Sequence, residues 1–403
     1  MGKNIVLCLD GTWNSPQTKD QKSEPTPTNV QRLFECLDGS APLAPADLER
    51  EFQKVVDGAA VQVGKYIYGV GNSDNVLARD FEGAVGAGLI GRVVRGYTFL
   101  SRYYGRGDRI YILGFSRGSY AARTVAGLVA KLGLLDWAGM GLVAGSKEAY
   151  RAGFAAWHQY RSAMPSADHH ALHYLADVVT NLYTRFEIGL GPVPTLKFVP
   201  DVQIQAVGVW DTVGALGVPD IDETKGIRLD VFEFANNTLS PAVIHGFHAI
   251  AVDEKRIDFT PSIWDERDGV VQVLFPGAHS DVGGGYAPEE TGLSDIPLLW
   301  MIDQVKAQGL RFDHGPALNT RAATILHRPW NGKVYQTADR PLPTKLRLSS
   351  HVLALLKEPS VLVEDGVAAP YRPDALLNKY FLADWSVRED AIMEPCSGPN
   401  VAH

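Results

Sequence analysis

The 403-residue chain reads as an α/β protein built on a doubly wound, mostly parallel sheet with an inserted helical region. Three observations predict this. Short, continuous apolar runs recur along the chain, as expected of strands covered on both faces. Segments with apolar residues at helical spacing separate several of them. One run passes through Gly114-Phe-Ser116-Arg-Gly118 straight into such a segment, the strand–turn–helix order of a doubly wound unit.

Ile5-Val-Leu-Cys-Leu9 is the first run, ending at Asp10-Gly11. The polar stretch from Asn14 to Thr28 carries Pro16, Pro25 and Pro27 and reads as a surface loop. Thr28-Asn29 is a capping pair, and Val30, Leu33, Phe34 and Leu37 then share one helical face. Gly64-Lys-Tyr-Ile-Tyr68 and Arg109-Ile-Tyr-Ile-Leu113 are the next strands. A helix over 119–132 presents Ala122, Val125, Ala126 and Val129, and Gly133 is placed to stop it. Two further strands are expected over 202–210 and 270–275. Residues from about 137 to 195 break the rhythm and read as inserted helices. The expected division is a core over 1–315 containing that insertion, with 316–403 as a C-terminal segment packed on or extending it.

Composition removes several function classes. Hydrophobic residues make up 45% and charged residues 21%, an ordinary globular balance. Basic residues number 38 against 46 acidic ones, a net charge of −8, so a nucleic-acid partner is not expected. Three cysteines at long spacings give neither a disulfide framework nor a cysteine-rich zinc site. The N-terminal apolar run is too short for a secretory signal, and no run is long enough to span a bilayer. The expectation is a protein cytoplasmic as synthesised, exported, if at all, by a signal-independent route.

The chemistry concentrates in a few places. Ser116 in the Gly-x-Ser-x-Gly turn is the candidate nucleophile, because a sharp strand-to-helix turn lifts its hydroxyl above the sheet with a helix N-terminus beneath. A serine needs a base and an orienting acid. His279 follows the strand over 270–275 in a glycine-rich loop and is the candidate base. Asp211, at the end of Ala206-Val-Gly-Val-Trp210, is the favoured acid, with Asp253 and Asp281 as rivals. Candidate oxyanion donors are the backbone N–H of Arg117 and those of Gly11 and Thr12, although a simple turn started by Asp10 explains the latter pair equally well. Asp10, Asp211, His279 and Asp281 together would suit a metal-dependent phosphoesterase, and a non-catalytic hydrolase-fold binding protein is the remaining alternative. No cofactor or metal is expected under the serine mechanism. Gly86-Ala-Gly88-Leu-Ile-Gly91 matches a dinucleotide fingerprint but does not directly follow a strand, so it reads as a helix packed closely on the sheet. His169-His170-Ala-Leu-His173 has helical metal-ligand spacing without the glutamate of a zincin, and reads as a solvent-facing helix. In the insertion, Phe154, Trp157, Tyr160, Leu175, Leu182 and Tyr183 either wall an acyl pocket or pack on the core.

Leu9-Asp-Gly-Thr-Trp-Asn14, the block from Gly114 to Arg123, Val209-Trp-Asp-Thr-Val213, the block from His248 to Arg256, and Phe275-Pro-Gly-Ala-His-Ser-Asp-Val-Gly-Gly-Gly-Tyr286 occur in consistent order. Together they resemble the α/β-hydrolase domain family that includes the phospholipase effectors of bacterial type VI secretion systems. The resemblance covers about residues 3–300. It implies an α/β-hydrolase core, a Ser-Asp-His triad and hydrolysis of a lipid or phospholipid acyl ester. By position, Ser116 matches the nucleophile, His279 the base and Asp211 the acid, while the block at Asp253 is also a family feature. The partners it implies are an ester or phospholipid substrate, transient membrane contact, secretion machinery and an immunity protein. The family's effectors usually append a longer membrane-binding region than this tail provides.

Overall fold

In β1 (Asn4–Leu9) every side chain is buried, and successive residues serve opposite faces. Ile5, Leu7 and Leu9 enter one apolar cluster, Val6 and Cys8 another. That double burial is why the run is continuously apolar. A computed structural model describes residues 2–11, 26–44, 49–69, 87–163, 192, 194–213, 238–319, 324–331, 335–364 and 366–396.

Around β1 the described residues form a nine-stranded sheet. Its other strands are β2 (Glu49–Val56), β3 (Ala59–Ile67), β4 (Arg109–Phe115), β7 (Ile204–Trp210), β8 (Val243–Ala251), β9 (Val270–Phe275), β11 (Arg347–Ser349) and β14 (Met393–Glu394). The spatial order is β14-β11-β9-β8-β7-β4-β1-β3-β2. All neighbours are parallel except β2, which forms an antiparallel hairpin with β3. The short pairs β5 (Leu134–Leu135) with β6 (Phe198–Val199), and β10 (Ile325–Leu326) with β12 (Val361–Val363) and β13 (Ala368–Ala369), lie outside this sheet. From β1 the chain runs first to β3 on one side and then to β4 on the other. The reversal leaves a crevice at the carboxyl ends of β1 and β4, where open α/β sheets bind ligands.

One face is covered by α2 (Ala87–Tyr103), α3 (Arg117–Leu132) and α4 (Lys147–Ser162), which share the first cluster. The other carries α1 (Asn29–Glu35), α5 (His279–Gly283) and α6 (Asp295–Ala307). Thr28 caps α1, its hydroxyl accepting the Gln31 N–H at 3.2 Å. Gly133 ends α3 at φ 82, where a β-carbon would also lie 2.1 Å from the Val199 carbonyl oxygen. Gly88 and Gly91 are buried within α2, so that part of the fingerprint is a packed helix; Gly86 lies outside the described residues.

The sequence reading missed β2, whose Glu-Arg-Glu-Phe-Gln-Lys pattern is that of a charged edge strand. It also missed β11 and β14, which bring the C-terminal segment into the main sheet beside β9. Leu342, Leu346, Leu348, Tyr371 and Tyr380 pack there with Ile250, Val252 and Leu274, so this segment shares a core with the sheet. In the insertion, Phe154, Trp157 and Tyr160 are buried in the cluster beneath α2 and α3. They pack on the core. Leu175, Leu182, Tyr183 and the histidines at 169, 170 and 173 lie outside the described residues.

Candidate active site

Ser116 sits between β4 and α3 with φ 56 and ψ −125, a backbone conformation that a residue with a β-carbon adopts only when its surroundings force it. The flanking glycines show what does so. A β-carbon on Gly114 would stand 2.5 Å from the Gly118 carbonyl oxygen, and one on Gly118 would stand 2.2 Å from the Leu9 and 2.5 Å from the Asp10 carbonyl oxygens. The turn closes because β1, β4 and α3 meet with no room for a methyl group. Ser119 fastens it from below, its hydroxyl donating to the carbonyls of Gly114 at 2.7 Å and Trp210 at 2.9 Å. The Ser116 N–H donates to Trp210 O at 3.1 Å, which ties the turn to the end of β7, one residue before Asp211.

Asp211 is fully buried and also has a positive φ, 37. Its Oδ2 lies 2.5 Å from His279 Nδ1. Arg340 grips the same carboxylate from behind, Nη1 to Oδ1 at 2.6 Å and Nη2 to Oδ2 at 2.8 Å, and the Ala251 N–H donates to Oδ1 at 2.9 Å. Burial alone would raise the Asp211 carboxyl. The Arg340 charge and the hydrogen bonds from His279 and Arg340 outweigh it and hold the group well below the usual carboxylate range. The His279 ring lies between Phe115, tilted at 4.7 Å between centroids, and Phe259, edge-on at 4.9 Å. Phe115 precedes Ser116, so the ring is packed beside the turn. Gly283 makes this approach feasible, since a β-carbon there would fall 1.9 Å from the Phe115 ring. The His279 N–H donates to Glu254 Oε2 at 3.3 Å.

The rival acids are engaged elsewhere. Asp253 Oδ2 accepts the Gly277 N–H at 2.6 Å and the Tyr371 hydroxyl at 2.8 Å, pinning the loop that leads to His279. Burial pushes its carboxyl up to about 7. Asp281 Oδ1 lies 2.5 Å from His327 Nδ1, and its Oδ2 accepts the Ala278 N–H at 2.8 Å. His248, buried and held neutral by that burial at about 3, accepts the Thr212 N–H on Nε2 at 3.2 Å.

For the oxyanion donors the picture divides. Arg117 is the first residue of α3, where a backbone N–H has no partner within the helix. Gly11 N–H instead donates to Asp10 Oδ1 at 2.6 Å. Thr12 lies outside the described residues. Asp10 is further occupied by the Thr28 hydroxyl at 2.7 Å and by Tyr66, and burial raises its carboxyl to about 6. The oxygens of Asp10, Asp211 and Asp281 face N–H and O–H groups. Among the described residues no group of three or more His, Cys, Asp or Glu side chains could hold one metal ion.

A strained serine turn at the carboxyl edge of a mostly parallel sheet, with a buried acid–histidine pair on the next strand ends, defines a domain of the α/β-hydrolase class. The chain belongs to the family described as the catalytic domain of Tle1-like phospholipase effectors of the type VI secretion system (T6SS), which it matches over residues 3–304. The uncharacterized protein YEL023C of Saccharomyces cerevisiae is 26% identical over 260 residues, covering 64% of this chain and 32% of the yeast protein. The chain thus spans about a third of the length of that curated relative. Two solved structures are similar at 18% identity. One is an uncharacterized protein from Pseudomonas aeruginosa (TM-score 0.37, covering 77% of this chain and 46% of that one). The other is the Tle1 effector bound to the VgrG spike of the type VI secretion system (TM-score 0.36, covering 73% and 53%).

Arg340, Ser119 and Glu254 were not singled out from the sequence. Ser119 lies within the block from Gly114 to Arg123 and could have been read there as a helix-start serine. Arg340 has no local signal, since it lies far along the chain in a Pro-punctuated stretch.

Proposed function

We propose that this chain is a serine hydrolase that cleaves a carboxylic ester of a lipid or phospholipid through an acyl-enzyme. The observation that carries the reading is the 2.5 Å contact of His279 Nδ1 with a buried, ionised Asp211, packed beside the strained Ser116 turn. Nδ1 is protonated in that contact, which leaves Nε2 as the acceptor that a general base needs. Nε2 takes the Ser116 proton as Oγ bonds to the acyl carbonyl carbon. The tetrahedral intermediate collapses when the alcohol oxygen departs with that proton, and water repeats the sequence on the acyl-enzyme. The Arg117 N–H, at the positive end of α3, donates to the developing oxyanion, with Thr12 as the second donor. Each such donor typically lowers the barrier by about 3 kcal/mol. Ionised Asp211 orients the imidazole and stabilises its charged form.

Family membership supports a phospholipid substrate, and with it transient contact with a membrane surface, secretion machinery for delivery and an immunity protein that silences the site. Among the described residues no helix is long and apolar enough to cross a membrane. The test is hydrolysis of p-nitrophenyl esters from acetyl to palmitoyl and of phosphatidylcholine vesicles, by wild type and Ser116→Ala, with and without EDTA. Loss of about 10³-fold or more in kcat on mutation is expected, with wild-type activity unchanged by EDTA. Activity that survives the mutation and disappears in EDTA would overturn the serine mechanism.

A further inference from the structure

We infer that Arg340 is a positioning residue of the hydrolytic site, and that the residues after the family-matched region complete the catalytic unit. The inference rests on the triad reading above. The matched region ends at residue 304, yet the Asp211 carboxylate is held in a two-pronged grip by a guanidinium from beyond it. Four hydrogen bonds occupy Nη1 and Nη2: Asp211 Oδ1 at 2.6 Å, Asp211 Oδ2 at 2.8 Å, Ala251 O at 2.9 Å and Phe259 O at 2.7 Å. With both nitrogens used the group cannot swing, and neither can the carboxylate it holds. Phe259 also packs edge-on against the His279 ring, so Arg340 touches two supports of the imidazole at once.

The charge placement has a second consequence. In a buried site an aspartate beside the base favours the imidazolium, because nothing nearby screens the carboxylate. Here Arg340 cancels much of that field while leaving the hydrogen bond. The site therefore relies on fixed geometry. Other charged or titratable groups around this centre have defined places. Glu254 pairs with Arg256 at 2.7 Å and accepts the His279 N–H; His248 is held neutral; and Arg123 lies over Trp264, 5.0 Å from the ring centroid, with its Nη1 donating to Ser262 O. Arg340 borders a cavity of about 180 Å³, which Asp253, His327 and Tyr371 also line. A shorter side chain at 340 would enlarge this space and not leave a sealed void.

The experiment compares wild type, Arg340→Gln and Arg340→Lys with Ser116→Ala on a soluble p-nitrophenyl ester. Folding is checked by circular dichroism, and kcat, KM and the pH dependence of kcat/KM are measured. Arg340→Gln should lower kcat by about 10- to 100-fold with KM within about twofold, the range seen when an outer residue that orients a catalytic group is lost. The acid limb of its kcat/KM profile should move to higher pH, since the carboxylate field is no longer cancelled. A merely structural role would not move that limb. Arg340→Lys keeps the charge without the fork, so its limb should stay at the wild-type position while kcat remains reduced. If Arg340→Gln does not fold, the kcat-against-KM split of Arg340→Lys decides: kcat lowered about tenfold with KM within about twofold supports the inference, and wild-type kcat overturns it. Ser116→Ala that keeps wild-type activity sinks the triad reading itself. Inactive Ser116→Ala combined with position-340 variants matching wild type in kcat and in the acid limb sinks the Arg340 inference alone.

Discussion

Replacing Asp211 by asparagine separates the three candidate acids more sharply than any other single change, because its effects can be worked out from four hydrogen bonds. Oδ2 faces His279 Nδ1 and Arg340 Nη2, while Oδ1 faces Arg340 Nη1 and the Ala251 N–H. Every one of these neighbours is a donor in the arrangement described, so the asparagine NH₂ opposes an Arg340 N–H whichever way the amide is turned. In one orientation it also opposes His279, which then either loses its partner or adopts the wrong tautomer. Loss of kcat on the order of 10⁴ is expected, as for other triads deprived of their carboxylate. Stability should fall as well, because removing one partner of a buried ion pair costs about 3–5 kcal/mol. Arg340 keeps the carbonyls of Ala251 and Phe259, which places the loss near the lower end. The pH dependence has a definite sign. The Asp211 carboxyl lies below its ordinary 3.8 in the folded protein, so its stabilisation is complete above that value and lost as pH falls through the folded-state titration. Asp211→Asn should lack that acid-side loss. Ester hydrolysis and urea unfolding from pH 2.5 to 8 measure both effects. An Asp211→Asn protein within tenfold of wild-type kcat, and within about 0.5 kcal/mol of its stability at pH 7, would refute the assignment of the acid.

Two further outcomes follow from the same geometry. Gly118→Ala would bring a methyl group to 2.2 Å from the Leu9 carbonyl and force α3 away from β1, so labelling of Ser116 by a fluorophosphonate should slow at least tenfold while far-ultraviolet circular dichroism is retained; wild-type labelling speaks against the strained turn. Asp253, raised from 3.8 to about 7 by burial, binds its proton more tightly folded than unfolded. Its favourable contribution is therefore present at low pH and lost as pH rises between those values. Asp253→Asn keeps an oxygen for Gly277 and Tyr371, and its unfolding free energy should fall less than that of wild type between pH 4 and 8; parallel curves would show that the carboxyl titrates normally.

Strand β1, strand β4, the serine turn and the stop at Gly133 were legible because each depends on neighbours within a few residues: continuous apolar runs, a glycine pair flanking a serine, a glycine where φ must be positive. The place of His279 was likewise visible from a strand end followed by a glycine-rich loop. Partner choice was not. Asp211, Asp253 and Asp281 all follow strands or line the same loop, and only the packing of β7, β8 and β9 side by side puts Asp211 against His279 while giving Asp253 to Gly277 and Tyr371 and Asp281 to His327. The strands β11 and β14 pair across about 45 to 74 residues of chain, and Arg340 grips Asp211 across 129, separations that no local spacing encodes. Gly11 illustrates the limit in the other direction, since its N–H donates to the side chain of its own neighbour, Asp10. What the sequence by itself determined was the kind of sheet and where its strained serine turn stands. Which acid faces the histidine, and which cation steadies it, was decided only when distant strand ends were brought to one edge, because ion pairs and hydrogen bonds form by proximity in space.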